Sequence, residues 1–218
     1  MSSLWLIDPT ILESYPAPVA SLIRACPGYE LGPGRPNLSV QSQLAKLTEQ
    51  DILAHQPGCP EAARACLAGL WLLHGFLEQA HSISQSLSTR EGSYWHGIMH
   101  RREPDYENAK YWFRRVGNHP VLERLAEEVL RLQEEPLLRE RLGEQAVAPG
   151  RASSQVRETV ARIVPRGQFD PFAFVDLCRE VARANAPAVL RALCQHVAWL
   201  EWQLLFDYCM KLSRHEAG

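Results

Sequence analysis

At 218 residues, the chain is long enough to bury a complete hydrophobic core, and it corresponds to one domain with or without extensions. Its 23 basic and 25 acidic residues give a net charge near −2, which excludes a general attraction to nucleic acid. The six cysteines include no CxxC pair, a pattern typical of free buried thiols rather than a disulfide framework or a CxxC metal site.

The first residues, MSSLWLIDPTILESYPAP, lack the basic and long apolar regions of a secretory signal. No stretch of about 18 uncharged apolar residues follows, so we expect no transmembrane helix and no membrane partner. The sequence therefore favours a cytoplasmic protein.

Prolines and glycines interrupt residues 1–40 at short intervals. Such a segment cannot form long helices, because proline removes a backbone donor and glycine loosens the chain. We expect residues 1–58 to form an irregular N-terminal arm that lies over the body of the protein. Short helices are predicted in it at Ala17–Ala25 and Ser39–Ala54.

From Pro60 onward, apolar residues recur at helical spacing. The segment 59–135 is predicted to form five helices: Pro60–His74, a second ending near Leu87, Ser93–Glu103, Tyr106–Val116 and Pro120–Glu135. After a linker at Gly143–Ser154, helices are predicted at Gln155–Val164, Pro171–Asn185 and Pro187–Leu212. These C-terminal helices, within 153–214, are expected to pack on the same core, which gives a single all-α globular domain.

Two segments align without gaps. Each segment has two small residues that are twelve positions apart and separated by a turn. They are Ala68 and Ala80 in the first segment and Gly97 and Ala109 in the second. Small residues at such places allow two antiparallel helices to approach closely. The pattern predicts two helical hairpins.

The second hairpin, HRREPDYENAKYWFRRVGNHP, resembles the second half of a tetratricopeptide repeat. Matching places are Pro104, Asp105–Tyr106, Ala109, Phe113 and Pro120, with looser matches in the first hairpin at Ala68, Trp71, Gly75 and Ala80. The resemblance covers residues 60–120 and implies stacked hairpins, as in a fragment of an α-solenoid. The repeats are 29 residues apart, shorter than the usual 34.

The block GSYWHGIMHRREPDYENAKYWFRRVGNHP is also similar to a family of bacterial proteins of unknown function, as is the C-terminal stretch FDPFAFVDLC…EWQLLFDYC. This similarity supports the fold and implies no activity.

His96 and His100 are four residues apart on a predicted helix and therefore share one face, together with Glu103. Two imidazoles and a carboxylate form a sensible half-site for a divalent metal, and His81 on the preceding helix could supply a third imidazole. His74 is a poorer candidate because it lies at the turn. The repeat register implies that His96 and His100 point inward.

Three interpretations of this cluster remain open. The favoured one is a structural hydrogen-bond network, because buried polar groups usually pair within the protein. Its candidate partners are Tyr94, Tyr106, Tyr111, Asp105 and Asn108. The alternatives are a metal or catalytic site at His81, His96, His100 and Glu103, and a small-ligand pocket, with ligand-binding candidates His81, Tyr94, His96, His100, Glu103, Asn108 and Tyr111.

A basic run interleaved with aromatic residues follows the cluster: Arg101, Arg102, Lys110, Arg114 and Arg115 beside Tyr111, Trp112 and Phe113. Arginines beside aromatic rings can bind nucleic acid. We favour an ordinary solvated helix face, because three acidic residues neutralise part of the run. Nucleic acid is therefore not an expected partner.

The sequence favours a protein- or peptide-binding module without catalysis and without a cofactor, since stacked hairpins form concave grooves. Homodimerisation is left open. The alternative is a metal-dependent enzyme, a hydrolase or oxidoreductase, that uses zinc, iron or manganese at His96 and His100.

Overall fold

The computed structural model describes residues 10–133 and 151–214 of the chain. Every regular element in these ranges is helical and none is a strand, which confirms the predicted all-α class. The α-helices are α1 Ile11–Ser14, α2 Ala17–Arg24, α3 Gln41–Lys46, α4 Glu49–Ile52, α5 Pro60–Leu73, α6 Leu77–Gln85, α7 Arg90–Arg102, α8 Tyr106–Val116, α9 Pro120–Arg131, α10 Arg151–Ile163, α11 Pro171–Val181 and α12 Ala188–Arg214. Short 3-10 helices occupy Leu38–Val40 and Pro165–Gly167. None of the described helices has the length and apolar character needed to cross a membrane.

The described residues group into two compact units. The first contains the chain up to Gly117 and again from Trp202 onward, and the second contains Asn118–Glu201. Helix α12 begins in the second unit and ends in the first. Helix α9, which the sequence grouped with the hairpins in 59–135, falls in the second unit.

The prediction of one helix over Ser39–Ala54 is wrong, because the chain breaks there at Leu47 and Thr48. Leu47 has extended backbone, and Thr48 begins α4 with a capping box. The Thr48 backbone N–H donates to the Asp51 carboxylate at 2.8 Å, while the Asp51 backbone N–H donates to the Thr48 hydroxyl. This reciprocal pair satisfies two backbone donors and starts a new helix.

Other helix boundaries also differ from the predicted ones. Helix α7 begins three residues early, because the Thr89 side chain accepts a hydrogen bond from the Gly92 N–H at 3.1 Å. Helix α10 begins at Arg151, so the predicted linker is wrong over 151–154, while 143–150 lie outside the described residues. Helices α9 and α11 end four residues before their predicted ends.

Cys66, Cys178, Cys194 and Cys209 are buried, as is Cys26, and none of these five forms a disulfide. They pack as small apolar side chains.

The core of the first unit forms where α5 approaches α7 most closely. A Cβ atom added at Gly69 would lie 2.7 Å from the Trp95 ring, so only glycine leaves room for that indole. Trp202 of α12 donates from its indole nitrogen to the Gly69 carbonyl at 2.9 Å and stacks on Phe206 with ring centroids 4.8 Å apart. Trp202 and Phe206 are fully buried and belong to the core.

Helices α5 to α8 pack in sequence: α5 on α6, α6 on α7 and α7 on α8, and α5 also contacts α7. The small residues predicted at close approaches are all buried: Ala68, Ala80, Gly97 and Ala109. A Cβ atom at Gly97 would lie 3.1 Å from the Phe113 ring, so the lack of a side chain brings α7 close to α8.

We predict that Gly69→Val destabilises the protein by roughly 1–3 kcal/mol, because the new side chain overlaps Trp95 and the core must shift. Urea unfolding monitored by tryptophan fluorescence measures the change. Gly32→Val is the matched control, since a Cβ there meets no atom within 4 Å. Equal stability of the two variants would contradict this account of the α5–α7 contact.

Candidate metal centre

Helix α7 is buried along almost its whole length, although its sequence REGSYWHGIMHRR is strongly polar. Every residue from Glu91 to Arg102 is buried. A helix buried on all sides is normally apolar, so each polar side chain of α7 needs a partner inside the protein.

His81, His96 and His100 converge on one point between α6 and α7. The rings of His96 and His100 stack with centroids 4.7 Å apart, and His81 meets them edge-on at 4.7 and 5.3 Å. One ring nitrogen from each histidine lies within 4.8 Å of the others. His96 and His100 are buried, whereas His81 is half-buried. This is the three-histidine grouping that the sequence proposed for a metal.

His96 does not belong to a hydrogen-bond network. The residue is 1% exposed, and neither ring nitrogen has a hydrogen-bond partner among the described residues. The favoured sequence interpretation is therefore wrong for this residue. A buried polar group left without a partner costs roughly 1–3 kcal/mol.

His100, by contrast, is paired through both nitrogens. Its Nδ1 lies 3.1 Å from the Glu103 carboxylate, which can only accept, so Nδ1 carries the proton. Its Nε2 then carries the lone pair and accepts from the Asn108 amide at 3.1 Å. The hydrogen-bond prediction holds for His100 and Asn108. Glu103 is the hydrogen-bond partner of His100 and is not one of the three residues grouped as metal ligands.

The remaining predicted partners lie elsewhere. Tyr94 is fully buried with its ring edge-on to Phe113, and Tyr111 is 49% exposed and meets the edge of Trp112. Asp105 caps α8 by accepting from the Asn108 backbone N–H. His74 donates from Nε2 to the Leu22 carbonyl at 3.0 Å, outside the cluster, as expected.

Sequence reasoning missed Trp112, which forms one wall of the site. Its indole stacks on the His96 ring with centroids 3.8 Å apart, and the Arg115 guanidinium lies over the same indole at 5.2 Å. Nothing in the sequence spacing linked Trp112 to His96.

The predicted solvated basic face holds for Arg114 and Arg115, which are exposed, but is wrong for Arg101 and Arg102. Arg101 lies over the Phe113 ring at 5.8 Å. Arg102 donates to the carbonyls of Gly32 and Leu72. The long apolar stems and planar heads of arginine allow such burial when carbonyls and rings receive the guanidinium.

Burial holds His96 and His100 in their neutral form. It lowers the pKa of His96 to about 3, and the nearby His100 and His81 rings add to the shift. Burial also lowers the pKa of His100, against the opposing effect of the Glu103 carboxylate. At neutral pH both rings of α7 therefore offer a lone pair, which is the form that binds metal.

Comparison of the chain with protein-family profiles, curated proteins and solved structures finds no match in any of the three. The resemblances to tetratricopeptide repeats and to a bacterial family stay predictions.

We predict that acid destabilises the metal-free protein partly through His96. The pKa of His96 is lower in the folded protein than in the unfolded chain. The unfolded state therefore binds one more proton than the folded state between about pH 6.5 and 3. The contribution of His96 to the free energy of unfolding is fully present above this pH range. It decreases by up to about 1.4 kcal/mol per pH unit as the pH falls through the range. His96→Phe keeps a ring but cannot titrate, so its stability should depend less on pH.

Urea unfolding of chelator-treated protein between pH 7 and 4.5 measures these slopes. The control substitution is His55→Phe, at an exposed histidine outside the cluster. Parallel slopes for wild type and His96→Phe would rule out a buried neutral imidazole at this position.

Proposed function

We propose that the protein binds one divalent transition metal, zinc in the first place, through His81, His96 and His100. The observation that carries this proposal is His96, a fully buried imidazole with no hydrogen bond, beside two other imidazoles. A metal ion would bind the lone pair of the His96 ring, for which the described residues provide no partner.

The donor set favours zinc over iron or manganese. Three imidazoles suit zinc, whereas manganese prefers carboxylates and the common non-haem iron site requires one carboxylate. The Glu103 carboxylate accepts a hydrogen bond from Nδ1–H of His100. Such a carboxylate orients the imidazole and raises its basicity, leaving Nε2 free to bind the metal.

Metal binding would draw the rings together. Zinc–nitrogen bonds of about 2.0–2.1 Å in a tetrahedral site put ligand nitrogens about 3.4 Å apart, closer than the 4.8 Å that bounds the present group. His81 has the most freedom to move, because it is half-buried whereas His96 and His100 are buried. Asn108 would release Nε2 of His100 to the metal.

Three protein ligands leave one position of a tetrahedral zinc ion open, which is the pattern of catalytic rather than structural zinc sites. Bound zinc lowers the pKa of a coordinated water towards 7 and polarises carbonyl or phosphoryl oxygens. We therefore place hydrolysis ahead of oxidation as the activity of the loaded protein, since zinc has no redox chemistry.

We also infer that α5–α6 and α7–α8 stack as two tetratricopeptide-like hairpins. The sequential packing of these helices and the buried small residues support this arrangement. Protein or peptide binding, which the sequence favoured, has less support. The large exposed apolar residues of the described chain, Leu38, Tyr111 and Leu130, come from three separate elements.

We predict that tag-free protein, stripped with chelator and dialysed against zinc, retains about one zinc ion per chain. His81→Gln and His96→Gln should each lose it, and His55→Gln should keep it, because His55 is exposed and lies outside the group. Elemental analysis counts the metal, and melting curves with and without chelator report the linked stabilisation. Wild type without metal, with a melting curve that chelator does not move, would refute the proposal.

We predict that Glu103→Gln weakens zinc binding about 10- to 100-fold, because His100 loses the carboxylate that orients it. Competition with a fluorescent chelator measures the dissociation constant. Glu61→Gln, an exposed carboxylate in the first turn of α5, is the matched control. An unchanged affinity in Glu103→Gln would remove Glu103 from the site.

A further inference from the structure

A second polar site lies in the first unit, away from the histidine cluster. The N-terminal arm and the ends of α5 and α7 enclose a cleft of about 380 Å³. Its lining includes Glu30, Arg35, Asn37, His74 and Arg102. The volume falls within the range of small-molecule sites.

Arg102 is the most deeply buried charge in this cleft, at 2% exposure. Its Nε donates to the Gly32 carbonyl at 3.1 Å, its Nη1 donates to the Leu72 carbonyl, and its guanidinium lies over the Tyr29 ring at 5.4 Å. These contacts hold the arm against the end of α5. They are dipoles and a ring face, so none of them neutralises the cation.

Nη2 of Arg102 is the part of the guanidinium that these contacts leave unused. No described residue accepts a hydrogen bond from it, and no described carboxylate forms an ion pair with Arg102. Nη2 lies 3.8 Å from the place where a Gly34 Cβ would stand, and Gly34 lines the same cleft. The Glu30 carboxylate partly offsets the effect of burial on the pKa of Arg102 without forming an ion pair with it. Nη2 therefore remains available to an anion in the cavity.

The other lining groups agree with an anionic ligand. Burial lowers the pKa of His74, whose Nδ1 accepts from the Asn37 amide at 3.2 Å, so this ring is neutral at pH 7. Arg35 adds a second positive charge. Glu30 is the single acidic residue in the lining, which leaves a net positive charge.

We propose that this cleft binds a small anion through carboxylate or phosphate oxygens that accept hydrogen bonds from Nη2 of Arg102. Arg35 attracts the same charge, and Glu30 opposes it. The ligand would join the arm to α5 and α7, so its binding stabilises the arm. This site is independent of the metal at the histidine cluster.

The test is a titration of the full chain with inorganic phosphate and, separately, with succinate, at constant ionic strength and with chelator present. Melting temperature and calorimetry are the readouts. One or both anions should raise the melting temperature saturably. Saturation by phosphate alone identifies a phosphate site, and saturation by succinate identifies a carboxylate site. No saturable effect of either anion overturns the proposal.

Three variants separate a specific site from general salt stabilisation. Glu30→Gln should tighten binding about two- to fivefold and Arg35→Gln should weaken it by a similar factor, because each removes one charge near the ligand. The exposed Arg24 gives the control Arg24→Gln, which should bind as wild type does. Equal responses from all three variants would overturn the site.

Arg102→Met should abolish saturable binding. Because Arg102 also holds the arm, this variant needs a folded circular dichroism spectrum before it is compared. If it does not fold, the opposite shifts expected for Glu30→Gln and Arg35→Gln decide the question.

Discussion

The burial of α7 is the constraint on which the first unit depends. The contact between Gly69 and the Trp95 ring, held by the Trp202 hydrogen bond, sets how α7 is rotated against α5. Because successive helical residues turn by about 100°, fixing Trp95 on α5 turns His96 and His100 towards α6 and α8. One tight apolar contact thereby brings imidazoles from α7 up to His81 on α6 and Trp112 on α8.

The buried polar side chains of α7 differ in how their hydrogen-bonding groups are paired. Arg102 reaches two backbone carbonyls, and His100 is satisfied by Glu103 and Asn108. The His96 ring contacts the rings of His81, His100 and Trp112, and no described residue forms a hydrogen bond with it. Natural proteins rarely leave such groups unpaired without a functional reason. His96 and the Nη2 group of Arg102 are therefore where we place ligands.

Helix positions followed closely from local sequence signals, because apolar periodicity and helix-opening prolines act over a few residues. Pro60, Tyr106 and Pro171 each begin a helix where predicted. Boundaries failed where side-chain capping decided them, as at Thr48 with Asp51 and at Thr89 with Gly92. Those hydrogen bonds depend on rotamers and backbone angles that a pattern of residue types does not contain.

The sequence by itself determined the all-α class, the places of α5 to α8 and the pairing of His96 with His100, because a helical period fixes which residues share a face. Tertiary structure alone decided that His81 reaches them, that Trp112 covers His96 and that Arg102 is buried under the arm. These contacts depend on the rotation and separation of helices that are distant in sequence. The packing of their side chains sets both.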